Sequence, residues 1–286
     1  MPLHQVTGSN LTSQDQNTKA FYGDRFDVQD ISNLSLFLYG HALVIIAKNQ
    51  HGALIGSHHC FFQDKAELEE IISKDLLLNA ENTQGKLYVH NDYFCLVPSV
   101  LFDPSAKSTY LNFSADVTTD KYEVFYEGVD SHNIQVVGAV EKEMISLWDN
   151  VLPDLEIVHG ACAPLSYLSS QKGNFLDQEL FVFAEHGHIY VAAYAGNELK
   201  LFNRFPVQGD QDFLKYNFAV THQLAFDRLY CRITIIGDVT GIQVDLETLR
   251  EYFRNIKIGE IQPNQTYSPG AEQFKETNLL EAFWTF

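Results

Sequence analysis

A pattern of strand, turn, strand, turn, strand and helix occurs twice in this chain, displaced by 147 positions. Leu34 to Leu38 and Ala42 to Ala47 are almost entirely apolar and flank Tyr39-Gly40-His41. Such runs predict a hairpin buried on both faces, because a strand with one wet face would alternate apolar with polar residues. Ala53 to Phe62 follows the turn Gln50-His51-Gly52 as a third strand. The period then changes. Leu68, Ile71, Ile72 and Leu76 recur at helical spacing and predict a helix over Lys65 to Leu78, with Asp64 as N-cap and Glu67 completing a capping box. In the second half, Leu180 to Ala184 and Ile189 to Tyr194 flank Glu185-His186-Gly187-His188. Glu198 to Val207 follows as a third strand and Asp210 to Phe226 as a helix. The slide lays Gly40-His41 on Gly187-His188 and Val44 on Val191, which reads as an ancient duplication.

Between the repeats, Lys86 to His90, Tyr93 to Pro98, Tyr122 to Gly128 and Asn133 to Val140 predict strands, the last two joined around Asp130-Ser131-His132. Lys142 to Val151 predicts a helix, Leu155 to His159 a strand, and a further helix runs to about Lys172-Gly173. After the second repeat come a strand from Tyr230 to Ile236, a helix from Leu246 to Asn255, a strand from Ile256 to Ile261 and a helical tail from Ala271 to Phe286. The resulting plan is a polar arm over residues 1–30, mobile or lying along a sheet edge, a first α/β subdomain over 31–173 and a second over 174–286.

Charge and cysteine usage narrow the function classes. With 37 acidic against 19 basic residues the formal charge is -18, which repels phosphate backbones and anionic head groups and argues against nucleic-acid binding. Cys60, Cys95, Cys162 and Cys231 contain no C-x-x-C pair and read as buried small hydrophobes in a reducing compartment. The polar N-terminus lacks the basic and apolar segments of a secretory signal, and no apolar run is long enough to span a bilayer. The expectation is a cytoplasmic protein with no membrane insertion.

The repeated order of elements resembles the actin-like ATPase superfamily, the fold of sugar kinases and type IV pilus assembly proteins. The opening hairpin, the acidic, aromatic-rich body and the length resemble more closely the DUF3822 family of uncharacterised bacterial proteins, over about Asp30 to Phe286. The resemblance implies a duplicated actin-like ATPase (ribonuclease H-like) α/β fold, each half opening with a three-stranded meander followed by helices. It also implies a place for Mg-ATP, which active members hold with an Asp-x-Gly in the first hairpin turn and a Gly-Gly pair beside the adenosine.

This chain departs from both motifs. The first turn reads Leu38-Tyr39-Gly40, with leucine where the acid belongs. The second reads Glu185-His186-Gly187, which keeps acid and glycine but is also ordinary hairpin chemistry, in which case Glu185→Ala leaves stability unchanged. The adenosine motif reads Gly237-Asp238, placing a negative charge where phosphates would approach. Gly40, Glu185, Gly187 and Gly237 are therefore the cofactor-binding residues only if a nucleotide binds at all.

Other chemistries lack their residues. Neither a phosphate-cradling G-x-x-x-x-G-K-[ST], a dinucleotide G-x-G-x-x-G nor a G-x-S-x-G elbow occurs. Ser35-Leu36-Phe37-Leu38 offers no carboxylate for two-metal nuclease chemistry. In a strand, His58 and Cys60 face one way and His59 the other, so at most two of them share an ion; His186 and His188 straddle a turn, and no metal site is expected. Cys162 opens a helix among apolar neighbours and reads as an inert thiol, and Phe283-Trp284-Thr285-Phe286 as an anchor that docks on the protein's own core. The chain thus reads as a non-catalytic, pseudo-ATPase interaction or scaffold protein with no cofactor, acting through an unknown protein partner or self-association. The alternative is a nucleotide-binding protein or weak ATPase holding Mg-ATP in an interdomain cleft.

Overall fold

The computed structural model describes residues 18–80, 83–129, 133–171 and 173–286. Most of the expected N-terminal arm and the turn Asp130-Ser131-His132 lie outside them, as does Lys172. Two compact units emerge: the described residues through Cys162 together with Gln265–Phe274, and Ala163–Asn264 together with Lys275–Phe286. The chain has the mixed α/β architecture that the repeat predicted.

In the first unit, β1 (Thr18–Tyr22) precedes β2 (Asn33–Leu38), β3 (Ala42–Lys48), β4 (Ala53–Phe61), α1 (Lys65–Lys74) and β5 (Gln84–Val89). After β6 (Phe94–Pro98), α2 (Lys107–Leu111), β7 (Tyr122–Val129), β8 (Ile134–Glu141) and α3 (Lys142–Ile145), the chain returns as β9 (Glu156–His159). The main sheet has the order β1-β4-β3-β2-β5-β9. β3 runs antiparallel to both neighbours, whereas β5 is parallel to β2 and to β9. One face carries a core of Leu34, Leu36, Leu38, Leu43, Ile45, Leu87 and Val89 packed with Leu68 and Ile72 of α1. Phe37, Val44, Ile46 and Tyr88 on the other face are buried too, which is why β2 and β3 read as unbroken apolar runs.

Helix α1 stops at Lys74, one turn short of the predicted end, and its N-cap is as expected: Asp64 accepts the Glu67 N–H at 3.0 Å. The Glu67 carboxylate reaches past the cap to the Gln63 N–H at 2.8 Å, so the reciprocal half of the box is displaced by one residue. β6, β8 and β7 form a separate three-stranded antiparallel sheet over a small core of Val97, Leu111, Val117, Val124, Val137 and Ala139.

The second unit follows α4 (Cys162–Ser170) with β10 (Glu179–Glu185), β11 (His188–Ala195), β12 (Glu198–Pro206), α5 (Asp210–Gln223), β13 (Arg232–Gly237), α6 (Leu246–Arg250) and β14 (Asn255–Ile258). Its sheet has the order β12-β11-β10-β13-β14. β11 is antiparallel to its neighbours, and β10, β13 and β14 are parallel. These are the order and directions of β4-β3-β2-β5-β9 in the first unit. A last strand, β15 (Thr266–Tyr267), pairs in parallel with β4.

Several element ends differ from the sequence reading. The helices predicted to run to Val151 and Asn255 end at Ile145 and Arg250 and continue as turns. The tail is not one helix but two 3₁₀ segments, Ala271–Thr277 and Leu280–Ala282, separated by Asn278 at φ 56°. Its terminal aromatics dock on their own unit, with Trp284 set edge-on to Tyr167 at 5.4 Å and Thr285 N–H donating to Asn264 Oδ1 at 3.0 Å.

Candidate functional site

In open α/β sheets ligands meet the carboxyl ends of the parallel strands, which makes those ends the candidate site in each unit. In the first unit the ends of β2, β5 and β9 are tied together: Leu38 O accepts the His90 N–H at 2.9 Å and Val89 O accepts the Gly160 N–H at 2.8 Å. The side chains at these ends are aromatic or imidazole. The rings of Tyr39 and His90 lie 4.2 Å apart, and a Cβ on Gly160 would collide with the His90 ring. His159 is fully buried and stacked on Phe94 at 4.6 Å. Its Nδ1 accepts the Ala161 N–H at 3.1 Å, so Nε2 carries the proton and donates to Asn91 O at 3.2 Å. Leu38 points into the core, and Gly40 sits in an exposed turn with open space around it.

The second unit presents Glu185, Gly237 and Asp238 at the corresponding ends. Ala184 pairs with Gly237, and Ala184 O accepts the Asp238 N–H at 3.2 Å, so the Glu185 and Gly237 positions are brought to the ends of adjacent strands. Gly237 has φ 104°, and a Cβ there would collide with the Ala184 carbonyl oxygen. Close strand approach therefore requires this glycine. The Asp238 carboxylate accepts the Thr240 N–H at 3.0 Å and its hydroxyl, closing its own turn.

Glu185 does not decorate a turn. It closes the β10–β11 hairpin opposite His188, and the positive φ of His186 (40°) and Gly187 (75°) gives the left-handed two-residue loop that such hairpins favour. Its side chain is buried and lies 3.8 Å from the equally buried Arg204 of β12, whose guanidinium sits 5.7 Å from the centre of the Tyr190 ring. Burial pushes the Glu185 carboxyl up to about 7, against the opposing pull of Arg204 and His188. The first hairpin is closed by Tyr39 N–H donating to Ala42 O at 2.8 Å, so the residue matching Glu185 is Tyr39 and the two turns are displaced by 146 positions. The paired strands thus correspond at a displacement of 146 positions, one fewer than the Gly-His letters indicate.

A second polar constellation carries no short sequence signal. His58 of β4 lies between Tyr22 of β1 and Asp75 after α1: its Nε2 is 2.5 Å from the Tyr22 hydroxyl and its Nδ1 is 2.6 Å from Asp75 Oδ2. Burial and the nearby Asp75 raise the Tyr22 phenol to about 12. His59 faces the other way and packs on Phe61 at 4.4 Å, as strand alternation requires. Among the described residues no three His, Cys, Asp or Glu side chains are grouped to hold a metal ion. Cys162 is fully buried, and burial holds its thiol well above the ordinary range.

The family model described as "Protein of unknown function (DUF3822)" matches residues 29–256. The chain belongs to the DUF3822 family. Among solved structures, this DUF3822 protein resembles a Bacteroides thetaiotaomicron protein with an actin-like ATPase fold and unknown function, with a TM-score of 0.70 at 15% identity over 81% of this chain and 91% of that one. It also resembles the PilM-PilN type IV pilus biogenesis complex, with a TM-score of 0.56 at 14% identity over 88% of this chain and 96% of that one. These likenesses show that the DUF3822 chain has an actin-like ATPase fold. No curated protein matches it significantly. Among its described residues no helix is long and apolar enough to cross a membrane.

Proposed function

We propose that this DUF3822 protein is a non-catalytic, cytoplasmic actin-like scaffold that works by holding a protein partner. The observation that carries this reading is the burial of Glu185. The acid retained in the second hairpin turn is 5% exposed and faces the buried Arg204, so its carboxylate is poorly placed to reach a magnesium ion or its water shell. The rest of the expected donor set fits Mg-ATP no better. Leu38 and Tyr39 supply no carboxylate, Gly187 is explained by its turn, Gly237 by strand packing, and Asp238 adds charge where phosphate would lie. The PilM-PilN complex supports the interaction half of the reading, since an actin-like fold there holds a protein partner.

Isothermal titration with Mg-ATP, ADP and ATP without magnesium tests this. No heat at millimolar nucleotide is the expected result. Saturable micromolar binding would instead make this a nucleotide-binding protein or weak ATPase, with Glu185, Gly187, Gly237 and Gly40 the first residues to substitute.

A further inference from the structure

The three-stranded sheet of the first unit carries an apolar surface that its own fold leaves uncovered. Val100 is 90% exposed and Leu101 67%, side by side on the 3₁₀ turn Ser99–Leu101 that follows β6. Next in the chain is the half-buried Phe102, whose ring lies 4.8 Å from Tyr126 of β7 and 5.7 Å from Tyr110 of α2. Phe113, 87% exposed, stands just past the end of the same short helix. Isolated exposed apolar residues are ordinary, but adjoining ones on one turn, backed by aromatic rings, mark a contact surface.

This surface is held rigidly. Ser99 N–H donates to Asn133 O at 2.8 Å, Phe102 N–H closes back on Ser99 O at 3.3 Å, and the Tyr110 hydroxyl donates to Leu101 O at 2.8 Å while accepting the Asp103 N–H at 3.0 Å. A turn pinned at both ends presents Val100 and Leu101 in fixed positions, so a partner that meets them does not have to order them first.

Charge selects the partner. Between Phe94 and Glu141 the sequence has seven acidic and two basic residues. Asp103 stands at the rim of the patch, and hydrogen bonds from the Ser105 hydroxyl and N–H hold its carboxyl below the usual range, so it stays ionised. A second copy would bring the same acidic rim, and a further formal charge of -18, against it. A basic segment with an apolar side meets both features at once.

We propose that Val100, Leu101, Phe102 and Tyr126 form a docking surface for the apolar side of a basic amphipathic segment of a partner protein. This rests on the interaction reading above and names where on the first unit that interaction occurs.

The test uses the full chain and a fluorescein-labelled synthetic Leu/Lys peptide arranged as an amphipathic helix, with a scrambled peptide of the same composition as control, read by anisotropy at physiological ionic strength. The amphipathic peptide is expected to bind the parent protein more tightly than the scrambled one. The double variant Val100→Ser/Leu101→Ser, both positions exposed, should melt like the parent and bind about tenfold more weakly. Equal binding by parent and variant, or no preference for the amphipathic peptide, overturns the surface. A sedimentation-detected dimer abolished by the same variant also overturns it, since the occupant is then a second copy. Failure here with no heat from Mg-ATP leaves the interaction reading in place without this surface. Saturable Mg-ATP binding removes that reading whatever the peptide does.

Discussion

Glu185 and Arg204 are buried together, with Arg204 Nε 3.8 Å from Glu185 Oε1, longer than a charge-assisted hydrogen bond. The pair therefore offsets only part of the desolvation of the carboxylate, whose titration moves up to about 7. In the unfolded chain the same group titrates near 4.5. Between these values the folded protein keeps a proton that the unfolded chain has released, so stability falls as pH rises through this window. Glu185→Gln mimics the protonated side chain at every pH. It should match the parent near pH 4 and exceed it in stability by on the order of 3 kcal/mol at pH 8. Urea unfolding of both proteins across that range checks this; parallel curves would mean that Glu185 titrates normally in the folded protein.

Another buried acid of this unit is held differently. Glu179 is fully buried, and Arg232 grips it with two bonds, Nε to Oε1 at 2.6 Å and Nη2 to Oε2 at 2.8 Å. Glu179 Oε2 also accepts the Leu176 N–H at 2.9 Å. Removing the cation leaves a carboxylate in a dry site, so Arg232→Ala should cost about 3 kcal/mol in urea unfolding at neutral pH. Arg204→Met, at the looser pair, should cost clearly less. The reverse ranking would show that bond geometry does not set the worth of these two pairs.

Tyr22 ends β1, and its hydroxyl tethers that strand to His58 in the adjoining β4. The phenol, raised to about 12, is neutral at ordinary pH and donates to Nε2, while Nδ1–H of the same ring donates to Asp75. Tyr22→Phe keeps the ring contact with Phe26, 4.6 Å between centroids, and deletes only the tether. The expected loss is about 1–2 kcal/mol, with faster amide exchange along Thr18–Tyr22 and little change in the second unit. Unchanged exchange in β1 would mean that its backbone ladder alone holds it.

How far this was legible from the sequence differs from element to element. Leu34 to Leu38, Ala42 to Ala47 and their counterparts near Leu180 and Ile189 are strands buried on both faces, and their shortness and flanking glycine turns favour a strand over a buried helix. The one-residue difference in register arises because the shared Gly-His letters of Gly40-His41 and Gly187-His188 mark a turn without marking its centre. That centre is set by backbone pairing, Tyr39 with Ala42 and Glu185 with His188. The burial of Glu185 depends on Arg204, two strands away, and the tether at Tyr22 on His58 and Asp75, so neither has a local signature. β15 comes back to β4 from more than 200 positions along the chain, and no periodicity in Thr266–Tyr267 announces it.

Gly237 and Gly40 were both candidate nucleotide glycines, and the structure gives them opposite physical roles. At Gly237 the backbone has φ 104° and a Cβ would strike the carbonyl oxygen of Ala184 on the paired strand, so an alanine must either separate β10 from β13 or twist the end of the sheet. At Gly40 nothing lies within 4 Å of where a Cβ would stand, and φ is not in the left-handed region. Gly237→Ala should therefore destabilise by about 2 kcal/mol or more, while Gly40→Ala should stay within about 0.5 kcal/mol of the parent. Both effects are predicted without nucleotide, so thermal melts of the two variants with and without Mg-ATP separate packing from binding. Equal stability of the two variants, with a nucleotide-dependent rise in Tm for the parent that either substitution abolishes, would return both glycines to a ligand role.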